Sequence, residues 1–185
     1  MHNNVITING QKMGKSLGNF ITLEQFFTGN HDKLEQAYKP MTIRFFILQA
    51  HYRGTVDFSN EALQAAEKAY ERMMDGWRRL SALKASDNSS VDVSDLRARC
   101  YEAMNDDLNT PTVIATLFDA CRIINSANDG KATLSQADID ELKSLFQTFL
   151  FDVLGVVSET ETQGGVDLKP YEEAVDLLLN IRKQA

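Results

Sequence analysis

The feature that most constrains this chain is a helix-spaced apolar repeat that runs through most of its length. After Ser59, which can cap a helix, Leu63, Ala66, Tyr70, Met73, Trp77 and Leu80 recur at alternating threes and fours. Such a stripe follows one face of a helix and is buried only when other helices pack on it. At this spacing the Met and Trp side chains read as core rather than as the lining of a ligand pocket. The pattern repeats downstream. Ser94 can cap a helix carrying Leu96, Cys100, Ala103 and Met104, and Thr110-Pro111 reads as N-cap and first helical residue of another, with Ile114, Leu117, Phe118, Cys121 and Ile124 inward and Gly130 at its end. Ser135 and Asp138 open a further helix with Ile139, Leu142, Phe146, Phe149 and Val153 on one face, closing at Gly155. A Thr, Glu and Gly-rich loop over 156–168 then leads to a last helix from Pro170, with Ala174, Leu177, Leu178 and Ile181 inward.

The first sixty residues read differently. Val5 and Thr7 alternate with Ile6 and Ile8 before Asn9-Gly10, a strong hairpin signal, and Gln11, Lys12 and Met13 form the return strand. Two strands alone are marginal, so this hairpin is expected to be mobile. Thr22 and Gln25 form a capping box for a short helix that ends near Gly29. Pro40 starts a longer one whose apolar face is Ile43, Phe46, Ile47 and Ala50; Arg44, His51, Tyr52 and Arg53 are its polar candidates for contact with a partner. No strand-like alternation occurs after residue 10. The expected fold is therefore all-α, an antiparallel helical bundle over 59–185 preceded by a β-hairpin and loop (1–20) and a small helical connecting module (21–58).

Composition narrows the function classes. A chain of 185 residues, 43% hydrophobic and 24% charged, is an ordinary globular composition with room for one core and a small annex. It contains no apolar run near the roughly 20 residues of a membrane helix. Charge is uneven. Through residue 60 there are six Lys and Arg against four Asp and Glu, while the remainder holds thirteen against twenty-two. The second part is thus not a general nucleic-acid binder, and RNA contact there needs a local strip such as Arg72, Arg78, Arg79 and Lys84, a set whose plainer reading is a solvated helix face. Cys100 and Cys121 sit on apolar faces of separate helices and read as buried free thiols; His2, His31 and His51 are scattered without zinc-ligand spacing.

Residues 12–19 read Lys-Met-Gly-Lys-Ser-Leu-Gly-Asn, two lysines around a glycine with a second glycine after them. The pattern suits a mobile loop that closes on a polyphosphate, and by itself it also suits a solvated charged turn. Beyond the loop an ordered series of segments appears: Phe20 directly after it, Arg44-Phe-Phe-Ile47, Ala50-His-Tyr-Arg53, Asp57-Phe-Ser59, and Met104-Asn-Asp-Asp-Leu-Asn-Thr-Pro111. In this series the chain resembles the C-terminal half of class I cysteinyl-tRNA synthetases, whose KMSKS signature precedes similar segments. The resemblance covers most of the chain. Gly14 departs from it, standing where the family most often has serine.

The resemblance implies a helical bundle of the class Ia anticodon-binding type and an enzyme that activates cysteine with ATP and transfers it to tRNA(Cys). Lys15 is then the principal ATP-contacting residue and Lys12 its helper, with Met13, Gly14 and Ser16 completing the loop and His51, Tyr52 and Arg53 as tRNA-binding candidates. Zinc is implied only for an upstream catalytic domain whose HIGH signature and nucleotide fold do not occur in this sequence. The chain is accordingly expected to be an inactive, monomeric fragment of a cytoplasmic enzyme. Two rivals stand beside this reading: a non-enzymatic helical interaction module, and a synthetase-derived ligase that joins cysteine to a small amine. Asp106 and Asp107 read as solvated or capping residues between two helices, and no chemistry is assigned to them.

Overall fold

The computed structural model describes residues 5–158, and the elements follow the order hairpin, two short helices, a third strand and a set of long helices. Strands β1 (Ile6–Ile8) and β2 (Gln11–Lys12) pair antiparallel through the Asn9-Gly10 turn, where both residues have positive φ. The expectation that no strand follows the hairpin is overturned. β3 (Val56–Phe58) pairs parallel with β1, matching Ile6 to Val56, Thr7 to Asp57 and Ile8 to Phe58, and gives the sheet order β2-β1-β3. Its three residues are too few for an alternation to register, and its partner lies about fifty positions away. Asp57 secures the join: Thr7 Oγ1 donates to its Oδ1 at 2.5 Å and the Gly10 N–H donates to the same oxygen at 2.9 Å.

The crossover between β1 and β3 contains α1 (Leu23–Thr28) and α2 (Pro40–Leu48). The Thr22–Gln25 capping box forms in both directions, and Pro40 takes the first turn of α2 as its fixed φ favours. The apolar face expected for α2 is corrected. Ile43 and Phe46 are buried, but so is Phe45, while Ile47 is 44% exposed. α2 lies between two cores, with Ile43 and Phe46 joining Ile8, Ile21, Phe26, Phe58 and Leu63 on one side and Phe45 entering the bundle core on the other. A helix gripped from two sides buries a wider arc than one stripe. Arg44, exposed along the rest of its side chain, donates from Nε to the Leu154 carbonyl at 2.9 Å and fastens α2 to the segment after a π-helical turn.

α3 (Asn60–Ala82) is capped by Ser59, whose side chain accepts from the Ala62 N–H. α4 (Ser94–Asn105), α5 (Thr110–Asn128) and α6 (Gln136–Leu145) pack with it around Met73, Leu80, Cys100, Leu117, Ile124, Leu142 and Phe146. Gly76 permits the close approach of α3 to α5, since a Cβ there would stand 2.5 Å from Cys121 Sγ. Two expected caps shift by one position. Ser94 is the first residue of α4 rather than its cap, and its N–H donates to Asp92 Oδ1 at 2.8 Å. Asn109, not Thr110, caps α5 through the Thr112 N–H.

α6 passes directly into a π-helical segment, Phe146–Val153. There the Leu154 N–H reaches the Phe149 carbonyl five residues back, so the wider winding advances the buried face by one residue. Leu154 is 2% exposed where Val153, expected inside, is 45% exposed. Most of the loop expected over 156–168, from residue 159 onward, and the helix expected from Pro170 lie outside the described residues.

Candidate functional site

The signature loop begins on the outer strand and returns through a single turn. Lys12 ends β2, Lys15–Leu17 form a 3-10 turn, and Gly18 closes it at φ 66, a left-handed conformation that glycine takes without steric cost. Gly14 does not need its lack of a side chain. Its φ of −164 is extended, and a Cβ there would meet only the Leu17 side chain at 3.6 Å, an ordinary contact. Asn19, which sequence reasoning passed over, holds the loop. This side chain is 5% exposed; its Oδ1 accepts from the Gly14 N–H at 2.9 Å and its Nδ2 donates to the Lys12 carbonyl at 3.0 Å. One buried amide thus pins the entry to the loop at two points, while Lys12, Lys15 and Ser16 stay in solvent. Lys15 Nζ rests over the Phe20 ring, 5.4 Å from its centroid. The arrangement offers two mobile cations on a fixed base, which suits the neutralisation of phosphate charge.

His51, Tyr52 and Arg53 come together in the turn after α2. The rings of His51 and Tyr52 stack at 4.9 Å, and the Arg53 guanidinium lies over the Tyr52 ring at 5.6 Å. His51 Nδ1 accepts from the Arg53 N–H at 3.2 Å. Asp107, expected to be merely solvated or capping, is the acidic partner of this group. Tyr52 Oη donates to its Oδ1 at 2.6 Å, Arg53 Nε donates to its Oδ2 at 2.8 Å, and His51 Nε2 stands 3.9 Å from the same oxygen. The hydrogen bond to Tyr52 and the Asp107 charge raise the Arg53 pKa above its ordinary value, so the guanidinium is always charged. The structure brings these three residues together but does not join them to the lysine loop. They belong to the junction between α2 and the α4–α5 connection.

Of the arginine strip, Arg78 pairs with an acid of its own helix, and the surface around the strip mixes both signs of charge. Arg72, Arg79 and Arg122 line a groove of about 480 Å³ between α3 and α5, together with Asp75 and Asp119. Arg78 pairs with Asp75 at 2.5 Å, Asp119 holds Arg99 and Arg122, and Arg72 covers the Phe118 ring. Among the described residues no group of three or more His, Cys, Asp or Glu is placed to hold a metal. Both cysteines are free and buried, with burial pushing the Cys100 thiol to about 11 and the Cys121 thiol to about 12, so neither offers a thiolate near neutrality.

Residues 1–68 match the family described as the catalytic domain of class I (C) tRNA synthetases, and residues 99–158 match the DALR domain. All 185 residues align with the cysteine–tRNA ligases of Parabacteroides distasonis at 64% identity, Porphyromonas gingivalis at 60% and Cytophaga hutchinsonii at 47%. The chain belongs to the cysteinyl-tRNA synthetase family. It spans 38% of the length of each of these relatives. The signature loop and the 51–53 turn both fall in the catalytic-domain match, whereas Asp107 falls in the DALR match, so the Arg53–Asp107 pair bridges the two.

Proposed function

We propose that the protein containing this chain is a cytoplasmic cysteine–tRNA ligase, which condenses cysteine with ATP and passes the cysteinyl group to tRNA(Cys), and that this chain supplies the phosphate-contacting loop and helices that meet the tRNA. Adenylation builds negative charge on the departing pyrophosphate, and preorganised cations lower that barrier. Lys15 is the main electrostatic catalyst, Lys12 assists, and Ser16 donates a hydrogen bond to phosphate. Neither lysine acts as a base, because the task is charge stabilisation. His51, Tyr52 and Arg53 contact the tRNA from the junction, and the acidic bundle meets it only locally. Alone, the chain is monomeric and inactive.

The observation that carries this reading is the loop clipped by Asn19, which leaves both signature lysines in solvent on a fixed base. In the full-length protein, Lys15→Ala is expected to slow cysteine-dependent pyrophosphate exchange by about 10²- to 10³-fold, the scale for losing one preorganised partner of the transition state. Cysteine binding should change little. Unaltered single-turnover adenylation in this variant would remove Lys15 from the mechanism.

A further inference from the structure

The link between α4 and α5 takes an unusual path. Asp107 and Leu108 have φ of 57 and 55, two consecutive left-handed residues that both carry a Cβ. Aspartate visits this conformation more readily than most residues, but for leucine it is disfavoured and persists where surrounding contacts hold it. Here the Leu108 N–H bonds to the Met104 carbonyl at 3.1 Å and the Asn109 N–H to the Ala103 carbonyl at 3.0 Å. The turn delivers the Asp107 carboxylate to Tyr52 and Arg53, and three residues on, Thr110 Oγ1 donates to the Leu48 carbonyl at 2.7 Å. One connection therefore grips both the last residue of α2 and the turn after it.

Both carboxylate oxygens of Asp107 are committed to the 51–53 turn, and Arg53 is held by its Nε edge while its side chain remains 68% exposed. A long cation fixed before its partner arrives loses less freedom on binding than a loose one. We propose that Asp107 is a positioning residue for tRNA, fixing the direction of Arg53 so that its guanidinium meets the RNA backbone. The inference rests on the proposed tRNA contact of Arg53.

The test uses four versions of the full-length protein: parent, Arg53→Ala, Asp107→Gly and the double variant. Glycine at 107 removes the carboxylate yet relieves the left-handed turn, so it separates positioning from turn geometry. Each version is assayed for tRNA cysteinylation and for cysteine-dependent pyrophosphate exchange. The expected result is that each single variant loses about tenfold or more in kcat/KM for tRNA, the scale of a hydrogen bond to a charged group, mainly through KM. The double variant should be no worse than Arg53→Ala, with exchange at the parent level in Asp107→Gly. If Arg53→Ala impairs cysteinylation and Asp107→Gly does not, the positioning role is overturned while the tRNA reading of Arg53 stands. Multiplying losses in the double variant, or equal loss of exchange in Asp107→Gly, also overturn it, the first by showing independent action and the second a general structural role. Parent-level cysteinylation in Arg53→Ala removes the tRNA contact itself.

Discussion

The helical bundle and the module that precedes it bury apolar residues by different logics. In α3 through α6, the residues that meet the core are set by spacing within one helix, so Leu63, Ala66, Tyr70, Met73 and Leu80 are buried because α3 is a helix. In residues 5–58 the decisive contacts join distant positions: β1 to β3, Asp57 to Thr7 and Gly10, and Phe58 between Phe26 and Phe46 with centroids 4.9 Å from each. The bundle is specified by local periodicity and the module by long-range closure. Apart from residues 104–111 in the α4–α5 connection, the segments that carry the family resemblance lie in the module or at its border, where closure rather than periodicity fixes the side chains.

The comparison breaks most visibly in the bundle's centre. Phe146 is fully buried and its ring stacks on Trp77 at 5.9 Å. Phe146→Ala should cost about 3–5 kcal/mol in the 185-residue chain, read by denaturant unfolding. A midpoint close to the parent's would mean that the periodic core does not carry the bundle.

Next comes the place in the bundle where periodicity misleads. Because the π-helical winding brings Leu154 inside in place of Val153, Leu154→Ala is expected to cost about 2–4 kcal/mol, whereas Val153→Ala should stay within about 0.5. Reversed costs in the same assay would restore an unbroken α-helical register.

Those two residues also show what the sequence made legible. The bundle, the order of its helices among the described residues, the hairpin turn, the capping box, both buried thiols and the family were readable, because each rests on residues close in the chain or on a contiguous motif. Several features were not. β3 is three residues long and defined by a partner elsewhere; Phe45 is buried because α2 faces two cores; the π-helical advance shifts a face without changing the pattern of residue types. The lysine loop was legible as residues, but its clip was not, since an asparagine after a glycine signals only a turn. Asp107 was misread for a similar reason: its partner, Arg53, lies in another unit of the fold, and only the left-handed turn aims it there.

Smaller effects test closure in the module. Asp57→Ala removes the acceptor shared by Thr7 Oγ1 and the Gly10 N–H at an exposed site, so a loss of about 1 kcal/mol is expected. The location should be telling. Amide hydrogen exchange ought to quicken in residues 6–12 and 56–58 while α3 and α5 keep their protection. Equal loss of protection in both regions would show that module and bundle unfold as one unit.

The smallest effect concerns the position where the chain departs from the family signature. Gly14 has an extended backbone that any residue adopts, and a Cβ there touches only the Leu17 side chain at 3.6 Å. Gly14→Ser should therefore be accommodated, changing stability by less than about 0.5 kcal/mol, because neither strain nor collision opposes it. The Gly14 N–H that Asn19 holds is a backbone group and survives the substitution. In the full-length protein, pyrophosphate exchange by Gly14→Ser should match or exceed the parent's, since a serine narrows the loop's unbound ensemble without moving either lysine. A marked loss of exchange with unchanged stability would mean that the loop must pass through a conformation at residue 14 that only glycine reaches, and closure on the nucleotide would then depend on Gly14 as well as on Gly18.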